Sequence, residues 1–237
     1  MTAETNQGAT PPPPPPPAGP RTNKFDLGKA FTFAFQDPRW LEKILIGGLF
    51  WIATFLIVGW FFIFGYMARL VRGIVAGVDD RLPEWNDLGE MFTEGLKLCI
   101  VAIVWYIPII LVMAPLLVWA IIFDEMGSPH LSEMFAGCMV LIIVPLALVI
   151  SFVLPAALVR AAIYRTVGAG LAIGPVFAFV RDNFVNFLLS FIVYLAANFI
   201  GQMGIVIFCI GVFFTSFWGL AVASHAYGQT WAYGKQT

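Results

Sequence analysis

The sequence predicts an all-α fold: a polytopic helical membrane protein with about six membrane helices, two helical hairpins among them, and interfacial amphipathic helices. Three observations predict it. Of 237 residues, 60% are hydrophobic and only 11% charged, with a mean hydropathy of +0.87. A soluble domain carries about 25% charged residues, so a water-soluble domain of this size could not solvate such a surface. Apolar stretches at 44–70, 98–123, 134–159 and 184–223 each reach or exceed the roughly 20 helical residues that cross a bilayer. Lys and Arg gather in some of the segments between them and not in others, which is the signature of a fixed topology. The 23 Phe and 8 Trp suit lipid-facing helices and interfacial belts, and a net charge of −1 leaves no basic surplus for nucleic acid.

Residues 1–24 form a tail. Pro11 to Pro17 is an unbroken proline run, which favours polyproline II and cannot build a core. A disordered cytoplasmic tail is expected, with docking to an aromatic-grooved partner as its functional alternative. No apolar core region follows Met1, so no cleavable signal peptide is expected. Residues 25–39 read as an interfacial amphipathic segment. Leu27, Ala30, Phe31, Ala34 and Phe35 share a helix face, Asp26 is placed to cap it, and Phe33 interrupts the polar side. Asp37-Pro38 has the pattern of an N-cap followed by proline at the first helical position, with Trp40 at headgroup level.

Residues 40–230 then form the helical membrane domain. Stretch 184–223 amounts to about 60 Å of helix, so it should fold back, with Gly201-Gln202-Met203-Gly204 as the natural turn. Charge decides stretch 44–70. The N-terminal flank carries Arg21, Lys24, Lys29, Arg39 and Lys43, and the next polar segment carries Arg69, Arg72, Arg81 and Lys97. Segment 124–133 has Asp124, Glu125 and Glu133 without Lys or Arg, while 160–183 has Arg160, Arg165 and Arg181. A single crossing by 44–66 would strand one basic cluster outside. A hairpin over 40–77, turning near Val58-Gly59, places both inside. That arrangement yields six helices, a cytoplasmic loop 78–96, an outer acidic loop, a short cytoplasmic tail 231–237 with Lys235, and both termini on the cytoplasmic side of the cell membrane. Five helices is the competing count. The first hairpin is short for two crossings, so full spanning and re-entry both stay open. A weak repeat, Phe33-Ala34-Phe35 against Phe177-Ala178-Phe179, accompanies the two hairpins.

The clearest local motif is Leu82-Pro83-Glu84-Trp85-Asn86-Asp87-Leu88-Gly89-Glu90. Pro83 sets a turn, Trp85 anchors at the interface, and Asp87 with Glu90 has capping-box spacing for a following helix. Functionally, Pro83, Glu84, Trp85 and Asp87 are candidates for a cytoplasmic docking loop, with an acidic face that Glu90 and Glu94 extend over 82–94. Several runs together resemble the DUF4013 family of uncharacterised prokaryotic integral membrane proteins. They are Phe35-Gln36-Asp37-Pro38-Arg39-Trp40 leading to Lys43-Ile44-Leu45-Ile46-Gly47-Gly48, Gly65-Tyr66-Met67-Ala68-Arg69 with Arg72 and Gly77, Leu82-Pro83-Glu84-Trp85 through Gly95-Leu96-Lys97, and His225-Ala226-Tyr227-Gly228-Gln229. The resemblance covers most of 33–230. It implies a membrane domain and brings no activity, cofactor or catalytic residue with it.

Arg69 and Arg72 share a helix face. They read either as snorkelling cations or as a contact for an anionic headgroup or solute. The GxxxG spacings Gly73–Gly77 and Gly170–Gly174 offer close helix approach and a homo-oligomer contact, or simply caps. Pro108, Pro115, Pro145 and Pro155 would kink their helices. Asn186, Ser190, Asn198, Gln202, Thr215 and Ser216 are the polar groups of the last hairpin. Cys99, Cys138 and Cys209 lie in apolar surroundings without CxxC spacing and read as inert thiols. No catalytic signature occurs: HExxH, GxSxG and Walker A are all absent, and His130 and His225 fall on opposite sides. The expected function is therefore a non-enzymatic membrane scaffold or partner subunit, without cofactor or metal. Its expected contacts are the lipid bilayer and a protein partner at the tail and loop. The alternative is a small transporter or channel for a solute or lipid.

Overall fold

The computed structural model describes residues 25–206 and 210–234. The proline-rich tail, Cys209 and Lys235 lie outside the described residues. Among those described the chain is all-helical, with no strand. Helix α1 (Leu27–Gln36) starts as expected, with Asp26 Oδ1 accepting from the Lys29 N–H at 2.9 Å. Its buried stripe is Ala30, Phe33 and Ala34, while Leu27 and Phe35 are exposed. The face is thus turned from the expected one, because α1 lies on protein. Phe33, placed on the polar side by the sequence pattern, stacks on His225 at 4.2 Å between ring centroids.

Asp37 ends α1 instead of capping the next helix. Helix α2 (Trp40–Ile52) begins after Arg39, although Asp37 Oδ1 accepts from the Arg39 N–H in the manner of a cap and its other oxygen is engaged elsewhere. A 3-10 turn (Ala53–Leu56) and Ile57, at φ 66°, carry the chain back into α3 (Val58–Val75). The turn falls just ahead of the expected Val58-Gly59. Gly59 still has a role there, because a Cβ would overlap backbone atoms of Phe50, Ala53 and Thr54. Helix α3 stops at Gly77, φ 92°, where the Val78 N–H bonds Gly73 O at 2.9 Å and the Gly77 N–H bonds Ile74 O at 3.0 Å. That is a glycine C-cap. Gly73 and Gly77 therefore end a helix and do not form a helix contact.

Two long helices follow, α4 (Leu88–Glu125) and α5 (Pro129–Tyr164), of 38 and 36 residues. The expected prolines lie inside both. The close crossing is between α3 and α4, where a Cβ on Gly65 would overlap the Met91 backbone and one on Gly95 the Phe61 carbonyl. The most apolar windows of α4 and α5 are only 6% and 11% buried, so their far halves project from the bundle as a paired arm.

Short helices α6 (Val167–Leu171) and α7 (Ile173–Asp182) lead to α8 (Phe184–Met203), a 3-10 turn (Gly204–Val206) and α9 (Gly211–Tyr233). The turn begins at the last residue of the expected Gly201–Gly204 run. Helices α8 and α9 lie close enough for Gly219 to meet Ala197 O and for the Thr215 hydroxyl to donate to Gly201 O at 2.6 Å. Helix α9 runs past the expected boundary at 230. Trp231 is buried against Phe179 and Tyr164, which holds the last turn on the bundle.

Among the described residues four helices are long and apolar enough to cross a membrane: Val58–Val75, Leu88–Glu125, Pro129–Tyr164 and Phe184–Val206. The expected six include α2, which has 13 residues, and α9, whose second half carries Ser224, His225, Gln229 and Thr230.

Candidate functional site: the charged end and the adjoining cavity

The three basic polar segments, the N-terminal flank, 69–97 and 160–183, meet at one end of the bundle, through three linked clusters. In the first, Lys43 Nζ on α2 meets Asp37 Oδ2 at 2.6 Å, the Leu82 carbonyl at 2.7 Å and Glu84 Oε1 at 2.8 Å. An ammonium has three donors, and all three are used. The Lys43 and Asp37 side chains are only 5% and 3% exposed. Asp37 also accepts from the N–H groups of Arg39 and Leu82, at 2.8 and 3.0 Å. Burial pushes the Asp37 carboxyl up, but Lys43 and these two N–H groups outweigh it and hold the group below its ordinary range. Glu84 is held low by its bond to Lys43 and by the Arg39 charge.

The second cluster contains the two predicted arginines. Arg69 donates to Glu84 O at 3.1 Å, Asn86 O at 2.9 Å and Asn86 Oδ1 at 2.5 Å, and pairs with Glu90 at 3.3 Å. Arg72 pairs with Glu94 at 3.0 Å and donates to Ala162 O at 3.0 Å. Glu94, nearly buried, also meets Lys97 at 2.9 Å and Arg165 at 3.5 Å, and Arg165 pairs with Glu90 as well. These bonds tie α3, α4 and the end of α5 together.

In the third cluster, His225 Nε2 lies 3.1 Å from Asp79 O and its Nδ1 lies 3.0 Å from Gln229 Nε2. Gln229 bonds both backbone groups of Asp26. Lys29 pairs with Asp79 at 2.5 Å. Helix α9 thereby holds the start of α1 and the segment after α3. His130 opens α5 at the opposite end.

Segment 78–87 is consequently a fixed ledge. The Tyr66 hydroxyl donates to Pro83 O at 3.0 Å, the Trp85 indole donates to Lys43 O at 3.0 Å, and the Trp85 ring stacks on Tyr66 and Phe50. Asn86 to Glu90 face solvent.

Beyond the Arg72 layer lies a cavity of about 410 Å³ between α2–α3, α4–α5 and α8–α9. Ala162, whose carbonyl Arg72 holds, lines its inner end with Val71, Ser224 and Tyr227. Trp51, Trp60, Asn198, Gln202 and Ser216 line the other end. The Tyr227 hydroxyl is enclosed and has no hydrogen-bond partner among the described residues.

A family model described as "Protein of unknown function (DUF4013)" matches residues 47–214. The chain belongs to the DUF4013 family. A search of curated proteins and a search of solved structures each returned no match. Of the runs that carried the resemblance, the start of the first and the His225–Gln229 ending fall outside the matched residues.

In this DUF4013 chain the predicted residues Arg69, Arg72, Pro83, Glu84 and Trp85 come together, as one internally bonded assembly. Asp87 stands at the N-cap position of α4 but at φ 51° and without a side-chain cap bond. Its expected partner Glu90 turns to Arg69 and Arg165 instead, so the capping box does not form. The pairings Asp37–Lys43 and His225–Gln229 escaped the sequence reading. The first pair spans six residues across a helix start, a spacing with no motif. The second is an i,i+4 pair whose targets are backbone groups far away in sequence.

Proposed function

We propose that this DUF4013 protein is a non-enzymatic, multi-pass membrane scaffold or partner subunit. The observation that supports this reading is the ledge. Segment 78–87 is bonded to α2, α3 and α9, so a partner would meet a preformed surface at Asn86 to Glu90 and lose little conformational entropy in binding it. The docking role of the proline-rich tail belongs to the same proposal.

The proposed placement puts the charged end in the cytoplasm, with both termini there. From Lys43 to the turn at Ile57 is about 20 Å of helix, and from the turn to Arg69 about 17 Å. A hydrocarbon core is about 30 Å thick, so α2 and α3 form a re-entrant pair while α4, α5, α8 and α9 cross.

The test is purification of the full chain in mild detergent, beside a chain lacking residues 1–24 and a Leu88→Glu variant on the exposed ledge. A stoichiometric partner that is lost in either variant supports the proposal. A chain that purifies alone under every condition and catalyses solute flux in vesicles overturns it. That last outcome would favour the second reading, a small transporter or channel, for which the cavity speaks.

A further inference from the structure

The cavity follows from an inequality in helix length. In the proposed placement the α2–α3 pair turns back near mid-membrane, while α4, α5 and α8 continue. Space is therefore left beside the tip at Trp51 and Trp60, bounded by the outer half of α8 and by α5. No Asp, Glu, Lys or Arg is among the described residues that line it. The wall formed by α3 and α5 is aliphatic, with Met67, Ala68, Leu154 and Leu158 along it. The wall formed by α8 and α9 is different, for Asn198, Gln202 and Ser216 stand together at the mouth. Asn198 and Gln202 are one helical turn apart, and Gly201 between them sits against Ser216.

These three side chains make no hydrogen bond among the described residues, unlike neighbouring Thr215, which is bonded to Gly201 O. Asn198 lies about 21 Å along α8 from Phe184, and it and Gln202 are exposed at the mouth, while deeper in the cavity the Tyr227 hydroxyl is enclosed without a partner among the described residues. An enclosed hydroxyl without a partner is costly, and the polar group that would satisfy it must arrive with a ligand or with water. A volume of about 410 Å³ is within the range of small-molecule sites, about 300–1,000 Å³.

We propose that this cavity is a binding site for a neutral, single-chain amphiphile. The chain lies along the α3–α5 wall, with its inner end stopped by the Arg72–Glu94 layer. An uncharged hydroxyl- or carbonyl-bearing head is held at the mouth by Asn198, Gln202 and Ser216. Charge on the head is excluded because the site offers no countercharge in a low-dielectric setting. The site rests on the membrane placement proposed above but not on the scaffold reading, since it lies beyond the ledge and uses none of its residues.

The test uses the full chain in nanodiscs with three chain-diazirine probes: a monoacylglycerol, a fatty acid held ionised at pH 9, and a headless alkane. Adducts are mapped by mass spectrometry. The monoacylglycerol is expected to label Met67, Leu154 and Leu158, and to be displaced by excess unlabelled monoacylglycerol. Labelling should fall at least tenfold in Ala223→Phe, which fills the cavity. It should fall about fivefold in Asn198→Leu/Gln202→Leu, with alkane labelling unchanged. If Ala223→Phe does not fold, the amide pair decides alone. Labelling spread over bilayer-facing positions such as Ile103 and Leu141, not displaced and not altered by the variants, overturns the site. Equal labelling by the ionised fatty acid overturns the neutral head.

Discussion

Replacing Lys43 with methionine tests the idea that the charged end is a structural lock. Methionine keeps the length of the side chain and removes its three donors. Asp37 would keep the N–H groups of Arg39 and Leu82, at 2.8 and 3.0 Å, but lose the ammonium paired with it in a site where its side chain is 3% exposed. Leu82 O would lose its partner. Removing one member of a buried pair costs about 3–5 kcal/mol, and the retained N–H bonds place this case near the lower end, about 3 kcal/mol. Glu84, 46% exposed, adds less than about 1 kcal/mol. Asp37→Asn made on top of Lys43→Met should recover about 1 kcal/mol, because it removes the uncompensated charge but keeps an acceptor oxygen for only one of the two N–H groups. The assay is SDS-titrated unfolding in mixed micelles, read by tryptophan fluorescence, with all four members of the cycle. Because Asp37 titrates below its unfolded value, its contribution is fully present above about pH 4 and is lost as pH falls through the lower folded value. Asp37→Asn should flatten that acid limb. A cost below 1 kcal/mol for Lys43→Met, or an additive cycle, would refute the lock.

Other expectations can be checked alongside it. Gly65→Ala and Gly95→Ala each place a methyl group against a carbonyl of the neighbouring helix and should cost at least about 1–3 kcal/mol. Gly73→Ala, whose Cβ would meet nothing nearer than 3.6 Å, should gain about 0.5–1 kcal/mol in the same titration. Glu94→Gln should cost about 3 kcal/mol, since the carboxylate is 6% exposed and holds Arg72 and Lys97. Glu90→Gln, 43% exposed, should cost under about 1 kcal/mol, with the difference shrinking in high salt. In a chain with Cys99, Cys138 and Cys209 changed to Ala, Gly89→Cys should react with an impermeant maleimide only after the cells are opened. Ser128→Cys should react in intact cells, and the reverse pattern would invert the proposed orientation.

Which parts of the structure were legible in the sequence follows from the range of the forces involved. Helix starts and stops set by near neighbours were readable: the Asp26 cap and the turn after Gly201 rest on bonds within a few residues, whereas α4 starts after Asp87 without the expected capping box. The grouping of basic segments at one end was readable too, because charge avoids hydrocarbon whatever its partners. The face of α1 was misread because Phe33 is buried by His225, nearly 200 positions later, and no local period encodes that. The same holds for Asp37, whose local pattern of aspartate then proline is a good cap. Its bond to the Arg39 N–H does form, but its other oxygen is taken by Lys43 and by the Leu82 N–H, which the fold brings into reach. The cavity could not be read at all, since it results from a difference in length between helices whose ends the sequence placed only approximately.

The repeat shows why the two halves of the bundle behave differently. The sequence match pairs Phe33 with Phe177, whereas the structure pairs it with Phe179. Helices α1 and α7 each have ten residues and bury the same positions: Ala30, Phe33 and Ala34 in one, Val176, Phe179 and Val180 in the other. Each is followed by a polar residue that is buried, Asp37 in the first and Asn183 in the second, and then by a pair of helices that fold back. In the first unit the residue six places on is Lys43, and a charged knot forms. In the second it is Leu189, and the neutral Asn183 bonds Phe179 O at 3.0 Å. A buried carboxylate requires a cation at hand, so the first helix pair is anchored at the charged end by a residue on its own first helix. Anchored there and only 13 residues long in its first helix, it turns back early. The second pair has no such anchor, its first helix runs for 20 residues, and the mismatch between the two leaves the space that the cavity occupies.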